Sequence, residues 1–255
     1  MSENKILGLM RIGQKDHIEN LYKYGEIYMN DIISFTKIEK EIEEDLAEDE
    51  RKDEYEGIFS LAQVTYGKLQ IDENNFIEFS ETGENTRFKG TGIIRGLSQD
   101  LKGNIYCMYA FTSELCKKRN TVDRRVYKFG PRLVLITNPK EFVRRVVATI
   151  KKDKFKPDKD LVRYYDENEN HINLSVFDKR SKYEHQSEYR FFFKNTIDQF
   201  HKLYIGSIED ISHICDTTDL ERMTFGLNPD TGQFQYLFYD SIIESILVRY
   251  PFDDI

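Results

Sequence analysis

The stretch Tyr183-Glu-His-Gln-Ser-Glu-Tyr-Arg-Phe-Phe-Phe193 carries the most specific pattern in the chain. Its aromatic half reads as a buried strand. Period two then puts Gln186, Glu188, Arg190 and Phe192 on one face, with Ser187, Tyr189, Phe191 and Phe193 on the other, packed face. An amide and a carboxylate two residues apart, at the edge of an aromatic strand, suit a polar cleft beside a core. The plainer reading is an exposed Glu188–Arg190 pair on a half-buried strand, worth little to stability.

Working outward, Ile6–Met10 reads as a strand. A helix follows, with Asp16 as N-cap, Ile18, Leu21 and Tyr22 at helical spacing and Gly25 as the stop; Ile27–Met29 then reads as a second strand. Phe59–Tyr66 and Phe76–Phe79 are β-like. Asn104–Thr112 is a core strand ending at Thr112-Ser113, and Arg132–Thr137 is another, stopped by Asn138-Pro139. Glu141–Lys152 is the clearest amphipathic helix, with Phe142, Val146 and Ile150 one turn apart. Leu174–Phe177, Tyr189–Phe193, Leu203–Ile205, Gln233–Tyr239 and Ile242–Tyr250 complete the strands. With 255 residues, no internal repeat and no long linker, the economical reading is a single α+β domain over 1–255.

Composition narrows the class. Hydrophobic residues make up 39% and aromatics 13%, too much for a disordered chain. Three cysteines without C-x-x-C spacing argue against a disulfide framework and a structural zinc site. No apolar run is long enough to span a membrane and the N-terminus lacks a signal-peptide core, so a soluble, cytoplasmic protein without membrane contact is expected.

The net charge of −8 hides two opposed blocks. Residues 39–56 hold eleven acids and three bases, read as a helical acidic segment on the surface. Residues 117–164 hold sixteen bases and five acids. Such segregation gives either a basic face that attracts polyanions or the solvated faces of ordinary amphipathic elements. Tyr127, Phe129 and Phe155, interleaved with those bases, are of the type that stacks unpaired bases.

Several chemistries lack their signatures. Neither a G-x-G-x-x-G nor a P-loop is present. The five histidines have no H-E-x-x-H spacing and read as surface or hydrogen-bonded core residues, so no metal site is assigned. Cys107 reads as core, and Cys116 beside Lys117-Lys118-Arg119 has no base partner. A metal nuclease would draw on Asp178, Glu188 and Lys194, which fit no motif well.

The order strand, helix, Gly25, strand, followed much later by Gln186-Ser-Glu188, resembles the ADP-ribosyltransferase superfamily, whose Q/E-x-E signature carries a catalytic glutamate. Gln186–Lys194 with Leu203-Tyr-Ile-Gly206 is similar to the C-terminal part of DarT-type toxins. Leu21-Tyr-Lys-Tyr24, Ala110-Phe-Thr-Ser-Glu114 and His185-Gln-Ser-Glu-Tyr-Arg190 resemble a pattern of an uncharacterised bacterial defence family.

The resemblance implies split mixed β-sheets with flanking helices and NAD as substrate. Glu188 would be the catalytic glutamate, bonding the nicotinamide ribose and stabilising positive charge as nicotinamide leaves; Gln186 would orient the acceptor. Arg11, Tyr28, Asn30, Thr112 and Ser113 would contact the dinucleotide, although Arg11 stands where one branch has histidine and no full Ser-Thr-Ser is present. A toxin or phage-defence effector modifying an RNA or DNA base, docked through 117–164 and held in check by an antitoxin or regulatory protein, is the function implied. A protein acceptor and a non-catalytic binding module of the same fold remain alternatives.

Overall fold

The computed structural model describes residues 4–32, 53, 55–56, 58–70, 76–82, 88–89, 92–97, 102–151, 157–194, 200–238 and 246–249. Its frame is an eight-stranded sheet of β1 (Ile6–Gly13), β2 (Glu26–Asp31), β3 (Gly103–Thr112), β4 (Arg132–Ile136), β5 (Asp158–Leu161), β6 (Glu188–Lys194), β7 (Phe200–Tyr204) and β8 (Ser212–Asp216). The order is β5-β6-β3-β1-β4-β8, with β2 joined to β3 and β7. The fold is α+β, but the expected mixed main sheet is corrected: all its pairings are antiparallel. Among the described residues, parallel pairing occurs only in two small sheets elsewhere, Arg163–Tyr165 with Asp178–Arg180 and Phe76–Ser80 with Phe88–Lys89.

Among the described residues, three α-helices accompany the sheet: α1 (Lys15–Tyr24), α2 (Ser113–Lys118) and α3 (Pro139–Lys151). Ile18 and Leu21 of α1 and Phe142, Val143 and Val146 of α3 cover one sheet face, where Leu9, Ile27, Met29, Tyr189, Phe191 and Phe193 meet them. Each large apolar side chain there contributes about 1.5–3 kcal/mol by leaving water. The other face packs Met10, Phe111, Leu133 and Leu135 against Phe225, Phe234 and Tyr236 of a small sheet, Met223–Leu227, Phe234–Phe238 and Ile246–Arg249.

Some elements differ from the expected ones for local reasons. Helix α1 starts after Gln14, so Asp16 lies in its first turn rather than at its cap, where its charge suits the helix dipole. Helix α3 begins at Pro139, a residue suited to a first helical position, and Asn138 Oδ1 accepts from the Glu141 amide. Leu174–Phe177 forms no strand; Asp178 Oδ2 accepts from the Ser175 amide and hydroxyl, closing a turn just before Asp178–Arg180. The Gly25 stop holds: φ is +64°, and a Cβ there would sit 2.0 Å from the Gly206 carbonyl oxygen.

The acidic segment requires a correction. Its described acids, Asp53 and Glu56, are buried rather than on the surface. The rest of 39–56, and Phe155, lie outside the described residues. Among the described residues no helix is long and apolar enough to cross a membrane.

Candidate functional site: a cleft where the sheet forks

One edge of β3 is shared by two strands. β1 pairs with it as far as Met10↔Tyr109, and β2 takes over at Asn30↔Ile105. Tyr106, Cys107 and Met108 lie between the two limbs, where the sheet forks. Arg11 bridges the gap: its Nη1 donates to the Cys107 carbonyl at 2.7 Å, and its guanidinium lies 5.0 Å from the Tyr106 ring centroid. A cleft of about 230 Å³ opens at this fork.

Glu188 lines the cleft from the opposite edge of β3, paired with Tyr109. Its Oε1 accepts from Lys179 Nζ at 2.5 Å and its Oε2 from Arg190 Nε at 2.7 Å. Lys179 Nζ also donates to Gln186 Oε1 at 2.7 Å. Arg190 is 1% exposed and gives its other nitrogens to Glu56 and to the Val176 carbonyl. Burial alone would push the Glu188 carboxyl up, but Arg190 and Lys179 outweigh it and hold it well below the usual carboxylate range. The Glu188–Arg190 pair of the plainer reading therefore exists, but it is buried.

The convergence of Gln186 and Glu188 does not come from strand alternation. Ser181–Gln186 is a 3₁₀-helix, and Ser187 adopts the left-handed conformation at φ +42° before β6 begins. The Ser187 hydroxyl donates to the Ala110 carbonyl, which fixes the bend. From Glu188 onward the expected alternation holds: Tyr189, Phe191 and Phe193 enter the helix-covered core.

Arg11, Tyr28, Asn30, Gln186 and Glu188 all line this one cleft. Tyr28 stacks on His17, ring centroids 5.4 Å apart and 26° between planes. Thr112 and Ser113 do not reach the cleft. Thr112 Oγ1 instead accepts from the Leu115 amide as N-cap of α2, and Ser113 Oγ accepts from the Lys5 amide. The sequence reading also missed lining residues, chiefly Lys179, Glu56 and His17. Only the helical stretch before Gly25 hinted at His17; Lys179 comes from the short strand Asp178–Arg180 and Glu56 from a turn far away in sequence, neither with a local motif. Cys107 lines the cleft too, but burial pushes its thiol up to about 12, too high for a nucleophile.

Two other expectations change. Glu188 and Lys194 begin and end the same strand, about 20 Å apart at strand rise, so the metal-nuclease trio is not assembled. In the basic stretch, Lys118, Arg119, Arg124, Arg125, Arg132, Arg144, Arg145 and Arg163 are ion-paired to acids. Half of its sixteen bases are thus compensated locally, which weakens the case for one continuous basic face. No family model, curated protein or solved structure matches the chain.

Proposed function

We propose that the chain is an NAD-dependent ADP-ribosyltransferase of the toxin or phage-defence type, with Glu188 as catalytic residue and a nucleic-acid base as acceptor. The observation that carries this reading is the meeting of Arg11, Tyr28, Asn30, Gln186 and Glu188, drawn from both ends of the chain, in one cleft. The donor set suits a dinucleotide. Arg11 supplies a cation for the pyrophosphate, the His17–Tyr28 stack supplies an aromatic surface for a planar ring, and Glu188 supplies an acceptor for a ribose hydroxyl.

An ionised carboxylate has about four acceptor positions. Lys179 and Arg190 take one each, which leaves capacity toward the cleft. Because those cations keep the carboxylate charged, a fixed negative charge faces the carbon that turns positive as nicotinamide departs. Preorganised charge of this kind lowers a barrier without reorganisation. Gln186 and Arg190 hold Lys179 and Glu188 in place.

A second reading, a non-catalytic binding module of the same fold, draws on the burial of Glu188, which is 7% exposed with both oxygens in ion pairs. Calorimetric titration with NAD tests the donor site: wild type binds, and Tyr28→Ala binds about tenfold more weakly through loss of stacking, roughly 1.4 kcal/mol. Absence of NAD binding by wild type contradicts the transferase reading.

A further inference from the structure

Lys179, in the short strand Asp178–Arg180, lines the cleft beside Glu188 with its side chain only 5% exposed. An ammonium group carries three N–H donors. One goes to Gln186 Oε1 and one to Glu188 Oε1. The Tyr183 ring, 4.7 Å from Nζ, attracts the charge without supplying an acceptor atom. The third N–H has no oxygen or nitrogen acceptor among the described residues. A donor buried this deeply costs free energy until something accepts from it, and the cleft is where an acceptor can enter.

Glu188 offers the complementary capacity. Its two oxygens take one N–H each, from Lys179 and from Arg190, and keep further acceptor positions. Arg190 spends its other nitrogens on Glu56 and the Val176 carbonyl, away from Glu188. The Tyr164 hydroxyl accepts from the Glu188 backbone amide and leaves the carboxylate alone. A group that only donates and a group that only accepts thus stand side by side, Nζ and Oε1 2.5 Å apart.

Two adjacent hydroxyls on one sugar ring match such a pair: one donates to the carboxylate, and the other accepts from the ammonium. A charged ligand group matches it less well. An anion there meets the charge of Glu188, and a cation meets that of Lys179.

We propose that Lys179 and Glu188 together read the vicinal diol of the nicotinamide ribose, and that Lys179 is the residue that requires a free 3′-hydroxyl. This rests on the transferase reading of the cleft. Glu188 takes the 2′-hydroxyl, next to the carbon that turns positive, where its negative charge stabilises the transition state. Lys179 takes the 3′-oxygen, one position further along the ring, so its positive charge stands off from that carbon. The substrate class is a ribosyl donor with both hydroxyls free. A donor deoxygenated at the 3′ position is rejected because it leaves a buried ammonium donor without an acceptor.

The test compares NAD with its analogue lacking the 3′-hydroxyl of the nicotinamide ribose. It follows nicotinamide release by the full chain and resolves KM from kcat. For wild type the analogue has a KM about tenfold or more higher, the effect of one hydrogen bond to a charged group. Its kcat changes less, because that bond is present both before and at the transition state. Lys179→Met gives the two donors the same KM, whereas a merely structural lysine would weaken both and leave the preference in place. The wild-type comparison needs no variant, so it decides even where Lys179→Met does not fold. Equal KM values for wild type, or a preference kept by Lys179→Met, overturn the inference and leave the transferase reading standing. No nicotinamide release from NAD by wild type instead overturns that reading, and the inference with it.

Discussion

Glu56 and Arg190, 134 residues apart, meet in a two-pronged buried ion pair, with Nη1 to Oε1 at 2.6 Å and Nη2 to Oε2 at 3.0 Å. Arg190 also holds Glu188, so the end of the acidic segment and the candidate catalytic carboxylate share one guanidinium. This buried cation is held by four hydrogen bonds to two carboxylates and a carbonyl; with a partner removed, its desolvation is left uncompensated. Nearby, Arg180 binds Asp53 and lies 4.1 Å from the Tyr55 ring centroid, so the segment is clamped at two points.

Glu56→Gln is therefore expected to cost about 3 kcal/mol of stability, the lower end for breaking a buried pair because Glu188 still faces Arg190. Urea unfolding measures it. A loss under about 1 kcal/mol, the range of an exposed pair, contradicts the buried clamp.

The acid side of the stability profile follows from depressed carboxylates. Glu188 sits well below its ordinary 4.5 despite its burial, because of Arg190 and Lys179. Glu141 is drawn down to about 2 by hydrogen bonds from Arg144 and Arg145. In this range the unfolded chain binds more protons than the folded one, so stability rises with pH. The contribution of both groups is present above the ordinary carboxylate range. It fades for Glu141 as pH falls toward about 2, and for Glu188 at lower pH still. Urea midpoints taken between about pH 5 and pH 2 fall steadily for wild type and less steeply for Glu188→Gln. Parallel curves contradict the ionised, buried Glu188.

Thr112→Val separates a cap from a binding residue. The substitution removes the hydroxyl that accepts from the Leu115 amide at a cost of about 1 kcal/mol, or about 2–4 °C in melting temperature for a chain of this size. NAD affinity stays at the wild-type value. A fall in NAD affinity with unchanged melting temperature would return Thr112 to the dinucleotide site.

The legible part of the molecule is its local periodicity. Tyr189, Phe191 and Phe193, Phe142 with Val146, and the Gly25 stop all take the roles their spacing implies, because burial of an apolar face dominates those elements. Gln186 and Glu188 do converge, but through the left-handed Ser187 rather than by alternation. Positive φ at a serine has no sequence marker. The counter-ions of the site were illegible for a different reason. Lys179 and Glu56 reach Glu188 and Arg190 through tertiary contacts alone. Counted as charge, Glu56 reads as one more surface acid in an acidic run, and Arg119 or Arg145 as a bare base, until the fold brings Asp123 and Asp210 beside them.

The most direct measurement of the central claim is nicotinamide release from labelled NAD by the full-length protein beside Glu188→Gln, which keeps the side-chain shape and removes the charge. Wild type is predicted to release nicotinamide, with the variant at least about 100-fold slower, the loss typical of removing one preorganised electrostatic group, while still binding NAD. Equal release by the two proteins would contradict the account, because the reaction would then owe nothing to the carboxylate at the fork of the sheet.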